Sequence, residues 1–169
     1  IVKDKQKAGR QMIIVSHSYG SAFVRVMLDH SKSSEVSHLQ GWLNLSGLIF
    51  GSPVFNCSDK KSLLNVTSPS QRTFSSEQKY FIKPMNTHNL KVLHFLGMRC
   101  NESLSRTQVR RQDKIKAWGP NDGQIAFAPY QKLDQTVVPL IDQNHVINLS
   151  NLSMTFVRAM SSLVSTLPM

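Results

Sequence analysis

The sequence predicts an α/β fold, a mostly parallel sheet flanked by helices. Three observations lead there. Residues 12–15 (MIIV), 41–50 (GWLNLSGLIF) and 90–97 (LKVLHFLG) are apolar nearly throughout, without polar alternation. Strands of that kind belong to parallel sheets buried on both faces. Helical segments, notably 21–30 and the stretch from Asn148 onward, alternate with these runs, as βαβ units require. Finally, 169 residues with 40% hydrophobic and 18% charged content suffice for a single domain with its own core.

Taken in order, residues 1–10 read as the end of a charged helix, with Gly9 near its stop. Residues 12–15 form a buried strand, and 21–30 a helix with little polar face, hence well buried. Residues 31–38 are a polar loop. The 41–50 strand ends at Gly51-Ser52-Pro53. Residues 56–89 are rich in Ser, Lys, Gln and Thr and too long for a plain connection, which suggests a lid or insertion of short helices and loops. After the 90–97 strand comes a basic surface excursion, 98–117, and a dense turn, Trp118-Gly119-Pro120-Asn121-Asp122-Gly123. A short apolar run, 137–141, precedes Asp142-Gln143-Asn144-His145. Leu149, Leu152, Phe156, Ala159 or Met160, and Leu163 then mark an amphipathic C-terminal helix.

Twenty Lys and Arg against ten Asp and Glu give a net charge of +10. The basic residues are spread along the chain, no aromatics interleave the two densest stretches, and no nucleic-acid module is recognisable. A solvated basic surface is the expectation, with attraction to an anionic membrane or lipid surface as the alternative. No apolar run reaches the ~18 residues of a membrane span. The first residues, Ile1-Val2-Lys3-Asp4-Lys5, carry no signal-peptide pattern. Cys57 and Cys100 fit no zinc or redox spacing and form either one disulfide or two free thiols. No metal or organic cofactor is implied.

The chemistry concentrates at Ser16-His17-Ser18-Tyr19-Gly20, between the first strand and its helix. So few residues force a sharp turn, and a serine at its apex is held with its hydroxyl exposed. That is the logic of the G-x-S-x-G elbow, with Ser18 as the nucleophile and Ser16 in place of the first glycine. Gly20, Ser21 and Ala22 are small enough for strand and helix to approach closely. A serine hydroxyl needs a base, and the base needs an orienting group. In open α/β sheets such groups sit at the carboxyl ends of strands. Asp122, in an Asn-Asp-Gly turn, and His145, in a loop before the last helix, meet that condition in the order Ser, Asp, His. Asp142 is the closest rival for the acid. His17 adjoins the nucleophile, so its side chain is expected to point elsewhere, and His94 reads as a core histidine.

Together VSHSYGSA (15–22), LNLSGLIFGSPV (43–54), GPNDGQIAF (119–127) and QNHVINLS (143–150) resemble the α/β-hydrolase superfamily, and within it the lipases and esterases. The resemblance implies a serine ester hydrolase working through Ser18, His145 and Asp122 and an acyl-enzyme, with the Tyr19 N–H in the oxyanion hole and a lipid or small ester as substrate. It favours export to the periplasm or outside the cell, although the residues themselves leave the compartment unknown. It also implies that the strands normally preceding the elbow strand are absent from this chain, together with the loop that gives the second oxyanion donor. Two other readings use the same residues: a non-catalytic hydrolase-like binding module, and an acyltransferase.

Overall fold

Four parallel strands hydrogen-bonded in chain order carry the molecule: β1 (Met12–His17), β2 (Leu39–Leu45), β3 (Lys91–Met98) and β4 (Thr136–Ile141). The computed structural model describes residues 11–55, 73–76, 78–98, 106–141, 145, 158 and 161. Outside these lie the predicted N-terminal helix end, Cys57, Cys100, Asp142, residues 56–72 and 77 of the expected lid, and the C-terminal helix apart from Arg158 and Ser161, both helical.

Parallel neighbours cannot be joined by a tight turn and need a crossover. Helix α1 (Tyr19–His30), followed by the short α2 (Ser33–Val36), supplies the first. The second runs from Ser46 to Leu90 and includes a 3-10 turn at Pro53–Phe55 and α3 (Lys79–Ile82). The third includes α4 (Arg106–Ile115), in the basic excursion, and 3-10 turns at Lys116–Trp118 and Tyr130–Lys132. Strands added steadily in one direction by right-handed crossovers receive all their connections on one face. The core agrees. Ala22, Leu28, Leu48, Ile49, Val54, Phe81, Ile115, Ile125 and Tyr130, from all three connections, pack with Trp42, Val92 and Leu96 of the sheet. On the opposite face the buried apolar cluster is made of strand residues: Leu43, Leu45, Leu93, Phe95 and Leu140.

Three expectations need correction. The 41–50 run is not one strand: β2 stops at Leu45, and Ser46 turns the chain with φ 40°. Leu48 and Ile49 are apolar because they fill the core beneath the connections, which hydropathy alone does not distinguish from strand burial. The first strand is not buried on both faces. It runs on to His17, pairs only with β2 among the described residues, and leaves Val15 half exposed. Helix α1 inverts the expected burial, with Phe23 66% exposed and Arg25 fully buried.

The Arg25 inversion has a local cause. A buried guanidinium is costly unless its donors are met. Arg25 donates to the carbonyls of Ile49, Tyr80 and Lys83, pairs with Asp29, and lies 4.9 Å from the Tyr80 ring centre. Tyr80 Oη donates to Asp29 Oδ2 at 2.5 Å. Burial, and then that bond to Asp29, push the phenol up to about 12. Arg25 thus fastens residues 79–83, within the second connection, to α1.

A polar row crosses the sheet where Ser16, Asn44 and His94 sit side by side, one position before the ends of β1 and β2 and in the middle of β3. Trp42 Nε1 donates to Ser16 Oγ at 2.7 Å, and Ser16 Oγ bonds Ser21 Oγ of α1 at 2.8 Å. The serine in place of the motif's first glycine is therefore a fastener between strand and helix. Gly20 is not the close approach: a Cβ there would stand 3.9 Å from Ser16 Cβ, an ordinary contact. Gly47 is, since a Cβ there would overlap Asn44 and Ser21.

Candidate active site

Ser18 sits between the last residue of β1 and the first of α1, with φ 52° and ψ −124°. A non-glycine residue in that region costs on the order of 1–3 kcal/mol and persists only where its surroundings hold it. They do so here. Ser18 N–H donates to the Leu45 carbonyl at 3.2 Å, and the Ser18 carbonyl accepts from Leu48 N–H at 3.0 Å and Ser21 N–H at 3.1 Å. The end of β2 and the turn after it brace the elbow on one side and the first turn of α1 on the other. Tyr19 opens the helix, and its ring packs on Phe74 with centres 4.7 Å apart.

Asp122 occupies the loop that folds back through the Asn121–Ala126 bridge. Its Oδ1 accepts the N–H groups of Gln124 (2.9 Å) and Ile125 (2.7 Å). Gly123, at φ 91°, makes this tight turn without a Cβ penalty, and its N–H caps Asn121 Oδ1. With Oδ1 engaged, Oδ2 is left to meet His145 Nδ1 at 3.0 Å. The main chains are joined too, His145 N–H donating to the Asp122 carbonyl at 3.2 Å. Asp122 is 4% exposed and His145 7%. Ser52 Oγ donates to the Gln124 carbonyl and anchors the loop from outside.

His145 Nε2 lies 2.7 Å from Ser18 Oγ. The three residues singled out in the sequence, 104 and 23 positions apart, are thus brought into one hydrogen-bonded series. Nδ1–H donating to a carboxylate leaves Nε2 unprotonated and able to accept the serine proton. His17 departs from expectation. Its Nε2 lies 2.7 Å from the His145 carbonyl oxygen and its ring centre 5.2 Å from that of His145. Strand alternation carries the signal: if Ser16 faces α1, its neighbour faces the other side of the sheet, from which a loop must approach.

A cavity of ≈ 660 Å³ lies behind the acid loop, lined by Phe50, Phe81, Met85, Trp118, Ile125 and Tyr130 among others. Ser18, Asp122 and His145 do not line it. It shares Ile125 with the site, whose N–H holds Asp122.

No family model and no curated protein matches the sequence. Solved structures do. Bacillus licheniformis lipase BlEst2 in its mature form superposes with a TM-score of 0.68 at 18% identity, over 95% of this chain and 68% of that one. The same lipase in its propeptide form gives 0.71 at 17% identity, over 99% of this chain and 39% of that one, so this chain spans well under half of the propeptide form. At such identities the likeness concerns the fold alone: a parallel four-stranded sheet with flanking helices, similar to the α/β-hydrolase fold of that lipase.

Proposed function

We propose that this chain is a serine ester hydrolase of the lipase and esterase kind. The observation that carries the reading is the series Ser18 Oγ–His145 Nε2–Asp122, with separations of 2.7 and 3.0 Å. His145 Nε2 takes the Ser18 proton as Oγ attacks the ester carbonyl. Asp122 Oδ2 accepts the Nδ1–H, keeps the ring in the useful tautomer and stabilises the imidazolium that forms. The carbonyl oxygen becomes an oxyanion as the tetrahedral centre forms, and the Tyr19 N–H donates to it. One such donor is typically worth about 10²–10³ in rate. His145 then returns its proton to the leaving alcohol, an acyl-enzyme remains on Ser18, and water releases the acid by the same steps.

Carboxylic esters of lipids are the proposed substrates, in keeping with the fold shared with a lipase. The charge of +10 suits peripheral contact with an anionic lipid surface. The test is labelling with a fluorophosphonate probe and turnover of a p-nitrophenyl ester series by the full-length protein. Ser18 is expected to carry the label, and Ser18→Ala to abolish labelling and turnover together. A folded protein that takes no label, or a Ser18→Ala variant that still turns over esters at the wild-type rate, overturns the proposal.

A further inference from the structure

Resting on the hydrolase reading above, we infer that His17 is a positioning residue that fixes the main chain of His145 for proton exchange with Ser18. His17 Nε2–H donates to the His145 carbonyl at 2.7 Å. A carbonyl has no proton to give, so a neutral His17 holds its proton on Nε2. His145 is then held at four points: its N–H by the Asp122 carbonyl, its C=O by His17, its Nδ1 by Asp122 Oδ2 and its Nε2 by Ser18 Oγ. The side-chain contacts orient the ring only if the peptide to which it is attached stays in place. A displacement of about 1 Å there takes Nε2 out of range of the serine, and such errors cost on the order of 10²-fold in rate.

His17 is suited to the task by its place in the strand. It is the last residue of β1 and pairs in register with Leu45, so its Cα is fixed by the sheet. Ser16 faces α1, where it meets Ser21 and Trp42. His17 faces the opposite side and reaches the histidine loop. It is also joined by one peptide bond to Ser18. The nucleophile and the support of its base therefore move together, and the separation between Oγ and Nε2 is insulated from any shift of the strand as a whole.

The test compares His17→Phe, which keeps a ring and removes the donor, with His17→Gln, which restores an N–H donor at similar reach. In the full chain, His17→Phe is expected to slow fluorophosphonate labelling of Ser18 and kcat for p-nitrophenyl esters by about 10- to 100-fold, with KM held within about twofold. His17→Gln is expected to recover most of that loss. Since His17 is exposed, both variants should melt at the wild-type temperature. A His17→Phe variant labelled at the wild-type rate overturns the inference, as does a His17→Gln variant no faster than His17→Phe, or a fall in Tm that tracks the lost rate in both. These outcomes leave the hydrolase reading standing. A wild-type protein that takes no label overturns that reading, and the role of His17 with it.

Discussion

His94 and His145 are both buried imidazoles, and each has a partner at both ring nitrogens. His94 is fully buried in the middle of β3, with Asn44 Nδ2 2.8 Å from its Nδ1 and Gln135 Oε1 2.6 Å from its Nε2. His145 stands in a loop, with Asp122 Oδ2 at Nδ1 and Ser18 Oγ at Nε2. Burial and saturation are alike, but the partners differ. Amides cannot stabilise an imidazolium as a carboxylate can. Burial accordingly lowers His94 to about 4, the bond to Gln135 pulling weakly the other way. His94 is a neutral strut that accepts at Nδ1 and donates from Nε2. His145 has the reverse tautomer, donating at Nδ1 and leaving Nε2 free to accept. What separates a structural histidine from a candidate base is therefore the charge and donor pattern of its two neighbours, and burial says little.

The comparison breaks most sharply at Asp122. In Asp122→Asn the amide oxygen can still accept the N–H groups of Gln124 and Ile125, while its NH₂ faces His145 Nδ1. That imposes on His145 the tautomer His94 now has, with the proton on Nε2, where it cannot take one from Ser18. Ester turnover is expected to fall by about 10³–10⁴ with Tm little changed. Steady-state kinetics beside a thermal melt check this, and turnover within tenfold of wild type would separate His145 from its proposed role.

His94 itself gives the next largest effect. Its folded pKa of about 4 lies below the ordinary 6.5, so the unfolded chain takes up the proton first as the pH falls. The stability it contributes is complete above about pH 6.5 and is lost on acidification toward pH 4, about 3 kcal/mol in all. Urea unfolding at pH 7 and pH 4, compared with a His94→Gln variant, isolates this contribution. If the two proteins lose stability in parallel, His94 is not held neutral by the fold.

Much of this arrangement was legible in the sequence. The elbow could be read because a strand joined to a helix through Ser16–Gly20 leaves one geometry for Ser18. The Asp122 turn could be read because Asn-Asp-Gly encodes both its side-chain caps and its left-handed glycine. The strand end at Leu45 could not, because Leu48 and Ile49 are as apolar as the strand and their burial comes from distant connections. Nor could the inversion on α1. Hydropathy ranks Phe23 above Arg25, but the guanidinium finds carbonyls contributed by residues 49, 80 and 83, and no local pattern reports them. Nor could the contact of His17, because adjacency to the nucleophile argues only for a side chain that points away from Ser18, whereas pointing away from α1 is what brings it to the His145 carbonyl.

The converse exchange gives the smallest and most specific test. Gln135 is only part buried and lies just before β4, so Gln135→Glu places a carboxylate at His94 Nε2 without opening the core. A carboxylate within hydrogen-bond reach favours the imidazolium and opposes the burial that now lowers His94. The cation also needs an acceptor at Nδ1, where Asn44 now presents its NH₂. Rotation of that amide would bring Asn44 Oδ1, which has no partner among the described residues, into place. The titration midpoint of His94, followed by the NMR shifts of its ring protons, is expected to rise by about 1–2 pH units, and the acid lability traced to it to shrink in proportion. No ester turnover should arise from it, since the group at His94 Nδ1 is the Asn44 amide and not a hydroxyl. If the midpoint stays near 4, dehydration outweighs the carboxylate in this site, and neighbour charge is not what sets the two histidines apart.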